Sequence, residues 1–462
     1  MDIRRTPLLL AVSLVLLVPA TTVAQGGGRA AAAGPPIGLP ESASGEVPSW
    51  AGPDAPWGNP GAGNALGLGP VAARERARAR MEAQRRAQRN PQRHAMNPAL
   101  DIDPKGDPVL RGQVVGIVAA AQALASIQSA GFTIVRQQHL EGLGLDVTVF
   151  AIPADASLRD ALGQLQSLDP KGTYDYDHVY FESGAAASGA DSAPSSGRPD
   201  AIRTRQQALP KVGLIDGGVD AAHPALRDVR TIQFGCGGTV IPSEHGTAVA
   251  SRLLDGLAGP ATGRPAAELY AADVYCDRPT GGAADAISDA VAWMVRNRVP
   301  VINVSLVGPS NALLKRVIEA AVARGFLIVA AVGNDGPSAP PLYPAAYPGV
   351  IAVTGVDSTD KVLLEAGRGP FVAFAAPGAD VSAASIPDGY SKVRGTSFAA
   401  PLVAGRLARL LDQPDPGDAA RAIRSLADSA LDLGAPGRDP VYGNGCIGCL
   451  APVTAEPTAA AR

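Results

Sequence analysis

The sequence predicts an α/β protein: a parallel β-sheet with helices on both faces, preceded by a smaller α+β module. Three observations lead there. From residue 211 to 356, short apolar runs alternate with longer stretches of helical period, the pattern of a parallel sheet with helical crossovers. From 108 to 183 the runs follow the order β-α-β-β-α-β, which is ferredoxin-like. Residues 25–107 and 184–201, by contrast, are too poor in bulky apolar side chains to build a core.

The N-terminus reads as an export signal. Arg4 and Arg5 precede the apolar run Leu8 to Val18, Pro19 breaks it, and Thr22-Val23-Ala24 offers a cleavage site before Gln25. The run is too short for a comfortable membrane span, which needs about 20 residues. A signal peptide over 1–24 is therefore expected, and with it a secreted or periplasmic protein. Residues 25 to about 70 are dominated by Gly, Ala and Pro. Residues 74–93 carry eight arginines against Glu75 and Glu82. That stretch reads first as a solvated helix within a linker, and second as a weak anchor on an acidic surface. Lys+Arg 40 against Asp+Glu 43 leaves no global basic charge for a nucleic-acid partner. Cys236, Cys276, Cys446 and Cys449 suit an oxidising compartment, with their pairing open on sequence alone. For Cys446 and Cys449 a short disulfide or two free thiols fits better than a half zinc site, since no second Cys-x-x-Cys occurs.

The small module spans 108–183. Val109 to Val118 predicts a strand, Ala119 to Ala130 a helix stopped by Gly131, and Thr133 to His139 and Asp146 to Ile152 two strands. Ser157 to Leu168 predicts a helix, with Leu158, Leu162, Leu165 and Leu168 on one face and Ser157 as its cap. Tyr174 to Phe181 supplies the last strand. The stretch 184–201 is a linker rich in Ala, Ser and Gly. The larger domain, 202–452, leaves a tail over 453–462. Its predicted strands are Lys211 to Asp216, Ala267 to Tyr275, Pro300 to Leu306, Phe326 to Val332 and Val350 to Val356. Its predicted helices are Ala283 to Asn297, Leu313 to Arg324 and Phe398 to Leu411. In such sheets functional groups gather beyond the carboxyl ends of the strands. Asp216, Ser305 and Asn334 fall there.

Three motifs carry chemistry. Leu214-Ile215-Asp216-Gly217-Gly218 places a carboxylate at the end of a buried apolar strand. His245-Gly246-Thr247 opens a helical stretch. Gly395-Thr396-Ser397-Phe398-Ala399-Ala400-Pro401 sets a serine at a helix start behind a glycine turn. A serine hydroxyl is a weak nucleophile at neutral pH and needs a base to take its proton. A histidine, with its ordinary pKa of about 6.5, suits that task, and an aspartate fixes the imidazole tautomer. Gly333-Asn334 adds an amide which, with the Ser397 backbone N–H, can hold a developing oxyanion. Each motif alone has a bland reading as a turn or cap. Together they predict a serine hydrolase with Asp216, His245 and Ser397 catalytic and Asn334 in the oxyanion hole.

In this order, with Asn334 between His245 and Ser397, the motifs resemble the subtilase family over about Ile202 to Leu450. Val301-Ile302-Asn303-Val304-Ser305-Leu306 looks like that family's substrate-lining strand, Tyr343-Pro344-Ala345 like a wall of its first specificity pocket, and Ala376-Pro377-Gly378 like another recurring loop. The resemblance implies a subtilisin-like sheet and a secreted serine endopeptidase acting on polypeptides through an acyl-enzyme. Ser305, Leu306, Val307, Gly308, Ala331, Gly333 and Tyr343 would line the substrate cleft. It also implies that 108–183, which includes Asp177-His178-Val179, is an inhibitory propeptide ahead of a processing site between Ser183 and Arg198. His223 is structural in this reading. The expected chain is a monomer that needs no cofactor or metal, because the loop Asp255 to Arg264 is poor in oxygen ligands for calcium. Val307 and Leu342 stand where the family has glycine or space, and imply a small or medium apolar residue before the cut rather than a large aromatic one. The fold further implies a Cys236–Cys276 disulfide. Two competing readings are an inactive relative serving as a binding module, which the filled site disfavours, and a surface-anchoring protein working through 25–107.

Overall fold

The computed structural model describes residues 97–183, 209–258, 266–277 and 282–449, together with the backbone of 185–191, all within the unit Gly67–Arg462. The expected leader, the Arg-rich stretch, most of the 184–201 linker and the tail lie outside the described residues.

The small module runs β1 (Leu100–Ile102), β2 (Pro108–Ile117), α1 (Ala121–Ser129), β3 (Thr133–Leu140), β4 (Leu145–Ala151), α2 (Leu158–Leu168), β5 (Thr173–Glu182). Order therefore begins before residue 108: β1 pairs antiparallel with β2, Leu100 opposite Leu110. Asp103 Oδ1 closes the turn between them by accepting from Lys105 N and Asp107 N, both at 2.8 Å. Three residues beside Pro and Asp give no periodic signal, which is why 25–107 reads as uniformly unstructured. Every other predicted element of the module is present, and Ser157 caps α2 by accepting from Asp160 N. The sheet order β5-β2-β4-β3 is antiparallel. Successive side chains in a strand point to opposite faces. Val114 and Phe150 thus pack with Ile127 and Leu165 of the module's own helices, while Val115 and Val149 point the other way.

After β6 (Ala185–Asp191), the larger domain begins with β7 (Lys211–Asp216), β8 (Val229–Phe234), α3 (Glu244–Leu257) and β9 (Ala267–Asp273). It continues with β10 (Gly282–Ala283), α4 (Ala284–Arg296), β11 (Val301–Val304), β12 (Leu306–Val307), α5 (Ala312–Val322) and β13 (Leu327–Ala331). It closes with β14 (Ile351–Val356), β15 (Val372–Pro377), β16 (Ala379–Ser385), β17 (Gly389–Arg394), α6 (Ala400–Ala408) and α7 (Pro416–Asp428). Seven strands in the order β15-β14-β13-β11-β7-β9-β8 form a sheet whose pairs are all parallel. Leu214 and Val329 face a core built with α3, α6 and α7; Ile215 and Ile328 face one built with α4 and α5. The second core also takes in Val115, Leu140, Val147 and Val149 of the small module, so one face of that module's sheet lies on α4 and α5.

The predicted strand Pro300 to Leu306 is divided at Ser305. β11 belongs to the parallel sheet, whereas β12 turns out of it to pair with β5. The predicted helix Phe398 to Leu411 starts as a 3-10 turn, Thr396–Phe398, ahead of α6, with Pro401 in the first turn of α6 where its missing N–H costs nothing. The expected disulfide joins Cys236 to Cys276, and Cys446 and Cys449, for which a disulfide or two free thiols stood open, are bonded to each other.

The module is fixed to α4 and α5 by its last strand. Asp177 Oδ1 accepts from the N–H of Asp285 at 3.2 Å, and Asp175 Oδ2 from that of Ala312 at 2.7 Å. Both amides lie in first helical turns, whose N–H groups have no partner within the helix. Arg136 of β3 reaches Asp285 and Asp289. His178, buried, accepts from Asn311 Nδ2 at 3.0 Å.

Candidate active site

Three separate elements deliver the predicted triad. Asp216 is the last residue of β7 and is fully buried; its Oδ1 accepts from Gly217 N at 2.7 Å. His245 lies in the first turn of α3, which Ser243 caps by accepting from Gly246 N at 2.9 Å. Ser397 sits in the 3-10 turn ahead of α6. Asp216 Oδ1 and His245 Nδ1 are 2.8 Å apart, and His245 Nε2 is 3.1 Å from Ser397 Oγ. Burial works against the imidazolium, but the Asp216 carboxylate and its hydrogen bond, helped by Glu182, outweigh it and raise the His245 pKa above the ordinary histidine value. This arrangement holds Nδ1 as the donor to Asp216 and aims Nε2 at the serine hydroxyl.

The close approach of α3 to the end of β7 depends on glycine. A Cβ at Gly246 would stand 2.3 Å from the carbonyl oxygen of Gly217, and one at Gly218 would stand 2.1 Å from that of Ile241.

Ser183, the residue after β5, lies in the cleft. Its carbonyl oxygen accepts from the Ser397 N–H at 3.2 Å, and its own N–H points to the Ser305 carbonyl at 3.4 Å. Asn334 is placed beside them: its Nδ2 donates to Ser183 Oγ at 3.3 Å and its Oδ1 accepts from Thr396 N at 3.1 Å. Of the two expected oxyanion donors, the backbone N–H therefore meets the Ser183 carbonyl and the Asn334 amide meets the adjoining hydroxyl. Ser305 is tied into the same cluster, donating its hydroxyl to the Ser397 carbonyl at 3.0 Å.

Leu306, Val307 and Gly308 border β5 upstream of Ser183. Leu306 lies opposite Glu182 and Val307 opposite Phe181 in an antiparallel pair. On the other edge of β5, Gly282 lies opposite Tyr180 and Ala283 opposite Val179. The Tyr180 ring covers Gly308, where a Cβ would come within 2.6 Å of it, and the Tyr180 hydroxyl donates to the Pro309 carbonyl at 2.8 Å. Gly308 and Tyr343 exchange backbone hydrogen bonds of 3.0 Å in both directions. Ala331 ends β13, two residues before Gly333. Gly333 has a φ of +92°, and a Cβ there would meet Leu342 Cδ1 at 2.5 Å, so the Leu342 side chain fills the space against it.

Glu182, Tyr180 and the pair Gly282-Ala283 escape the sequence reading as cleft residues. The available signal was position: the strand Tyr174 to Phe181 ends just before a linker. Glu182 Oε1 lies 4.0 Å from His245 Nδ1. Burial and the nearby Asp216 charge raise its pKa, against the pull of His245. His223 is outside this cluster, capping a 3-10 turn through Nδ1 and donating from Nε2 to the Gly389 carbonyl at 2.9 Å. Among the described residues, Glu182, Asp216 and His245 lie close enough to hold a metal ion; the sulfurs of Cys236 and Cys276 beside Asp273 are joined in a disulfide and offer no thiolate.

The fold is that of fervidolysin from Fervidobacterium pennivorans, described as a keratinolytic enzyme related to subtilisin: TM-score 0.60, 19% identity, 75% of this chain and 61% of that one. The profile of the subtilase family matches residues 208–445. Subtilisin DY of Bacillus licheniformis is 35% identical over 245 residues, 51% of this chain and 88% of the relative. Subtilisin E of Bacillus subtilis (strain 168) is 35% identical over 253 residues, and the match takes in 64% of its length. The chain belongs to the subtilase family.

Proposed function

We propose that the protein is a serine endopeptidase, exported and made as a self-processing precursor. The observation that carries this reading is the hydrogen-bonded series Asp216, His245, Ser397 with a peptide carbonyl resting on the Ser397 N–H. Ser397 Oγ attacks the carbonyl carbon of a polypeptide while His245 Nε2 takes the hydroxyl proton. Asp216 holds the imidazole and stabilises its charge. The tetrahedral oxyanion is held by the Ser397 N–H, with the Asn334 amide swinging from the Ser183 hydroxyl position toward it. His245 then returns the proton to the leaving amine, and water, deprotonated by the same nitrogen, releases the acyl group. None of these steps calls for a cofactor.

Residues 97–183 act as the intramolecular inhibitor in this reading. The bond presented for cutting is Ser183–Gly184, within the Ser183–Arg198 interval expected from the sequence. Ser183 as the residue before the cut agrees in size with the space that Leu342 occupies, although it is polar where an apolar residue was expected. Tyr180, fourth before the cut and seated on Gly308, favours an aromatic residue there. Export is supported by the leader-like sequence of 1–24 and by two disulfides, which persist in oxidising compartments. The reading is tested by treating the purified protein with a phosphonylating serine reagent. Loss of peptidase activity with one adduct on Ser397, and no loss with a chelator, is expected. An adduct elsewhere, or activity lost to the chelator at intact fold, contradicts it.

A further inference from the structure

Beyond Ser183 the chain stays in register with the domain. β6 lies antiparallel on β17, with Ala185 opposite Arg394, Ala186 opposite Val393, Ala190 opposite Ser391 and Asp191 opposite Tyr390. Residues 187–189 bulge opposite Lys392, where the register shifts. The other edge of β17 is paired with β16 along its length, from Ala379 opposite Arg394 to Ser385 opposite Gly389. β6 therefore takes the remaining edge of this hairpin. An edge strand presents unpaired N–H and C=O groups to any extended chain.

The edge is held firmly. His223 donates to the Gly389 carbonyl and its ring meets Tyr390 edge-on at 5.6 Å. Val393 is buried, and Arg394 is paired to Glu365. The segment it takes up reads Ala-Ala-Ala-Ser-Gly-Ala-Asp, a composition of low strand propensity. Main-chain hydrogen bonding, which is tolerant of sequence, is left as the attraction.

We propose that β17 is a docking strand for the downstream half of polypeptide substrates, engaging extended chain out to the eighth residue beyond the cut. This rests on the peptidase reading with cleavage at Ser183–Gly184. The site would select extended polypeptides that continue well past the scissile bond over short peptides. Proline removes the donor and the extended freedom that pairing needs, so the precursor itself provides the test. Conversion to the fragment starting at Gly184 is timed in the wild type, in Ala190→Pro/Asp191→Pro, and in Ser188→Pro/Gly189→Pro, which falls in the bulge. The expected result is at least tenfold slower conversion for the first pair and near wild-type speed for the second. Equal slowing by both pairs, or by neither, overturns the docking strand. No conversion in the wild type overturns the peptidase reading with it. The released Ala190→Pro/Asp191→Pro enzyme should also cleave a peptide with eight downstream residues at least tenfold better in kcat/KM than one with two; equal values overturn the proposal.

Discussion

At the scale of residues, Leu342 sets a limit that Gly333 makes visible. Its Cδ1 stands 2.5 Å from where a Cβ on Gly333 would be, so the space beside Gly333 is occupied by the protein. Leu342→Ala should raise kcat/KM for a peptide with Phe before the cut, relative to one with Ala, by at least tenfold. That is the order expected when a few methylenes of space are exchanged. An unchanged ratio in paired peptide assays would place the limit elsewhere. Asn334→Ala should keep the fold and the KM and lower kcat by roughly a hundredfold to a thousandfold, as loss of one oxyanion donor does; full turnover would remove the amide from the site. The base form of His245 is the neutral one, and its pKa is raised because Asp216 outweighs burial. Activity should therefore appear on an acid limb above pH of about 6.5 and persist as pH rises. A limb at or below that value in the kcat/KM profile would contradict the Asp216 coupling. Asp216, His245, Ser397 and Asn334 were all legible in sequence because each motif ties a reactive side chain to a strand end or helix start. Glu182 and Tyr180 were not, since nothing local in a strand says which other strand it will join.

At the scale of elements, legibility followed periodicity. β7, α2, α4 and β13 are apolar runs or amphipathic helices of ordinary length, and they appear within a residue or two of their predicted bounds. β8, β16 and β17 were missed: β8 is only half-buried, and the β16–β17 hairpin is rich in Ala and Ser. α7 was missed although Asp415-Pro416 is a strong start signal, with Asp415 accepting from Asp418 N at 2.9 Å. The division at Ser305 was invisible because a run of apolar residues does not report where a strand leaves its sheet. One contact between elements carries a measurable consequence. Asp175 serves the first turn of α5 from another module, and such caps contribute about 1 kcal/mol. In a Ser397→Ala background, Asp175→Ala should speed removal of residues 97–183 by added trypsin about fivefold; an unchanged rate would mean that the contact is idle.

At the scale of the whole molecule, the small module and the larger domain share a core and pair strand to strand through β5. One face of the module's sheet packs on α4 and α5. Its last strand is held between β10 and β12, and the chain then passes Ser397 to join β17. The β-α-β-β-α-β order was readable, as was the parallel sheet, because both follow from the sequence of element types. The insertion of β5 into the cleft was expected only through the family resemblance, not from the residues themselves, since it depends on the shape of two folded surfaces. That insertion rests the Ser183 carbonyl on the Ser397 N–H. The direct measurement is the intact mass of the wild type and of Ser397→Ala, each produced without other proteases. The expected wild-type product is a fragment whose first residue is Gly184, with Ser397→Ala remaining joined through that bond. Cleavage of Ser397→Ala at the same bond, or a wild-type product starting elsewhere in the linker, would contradict self-processing at the site described.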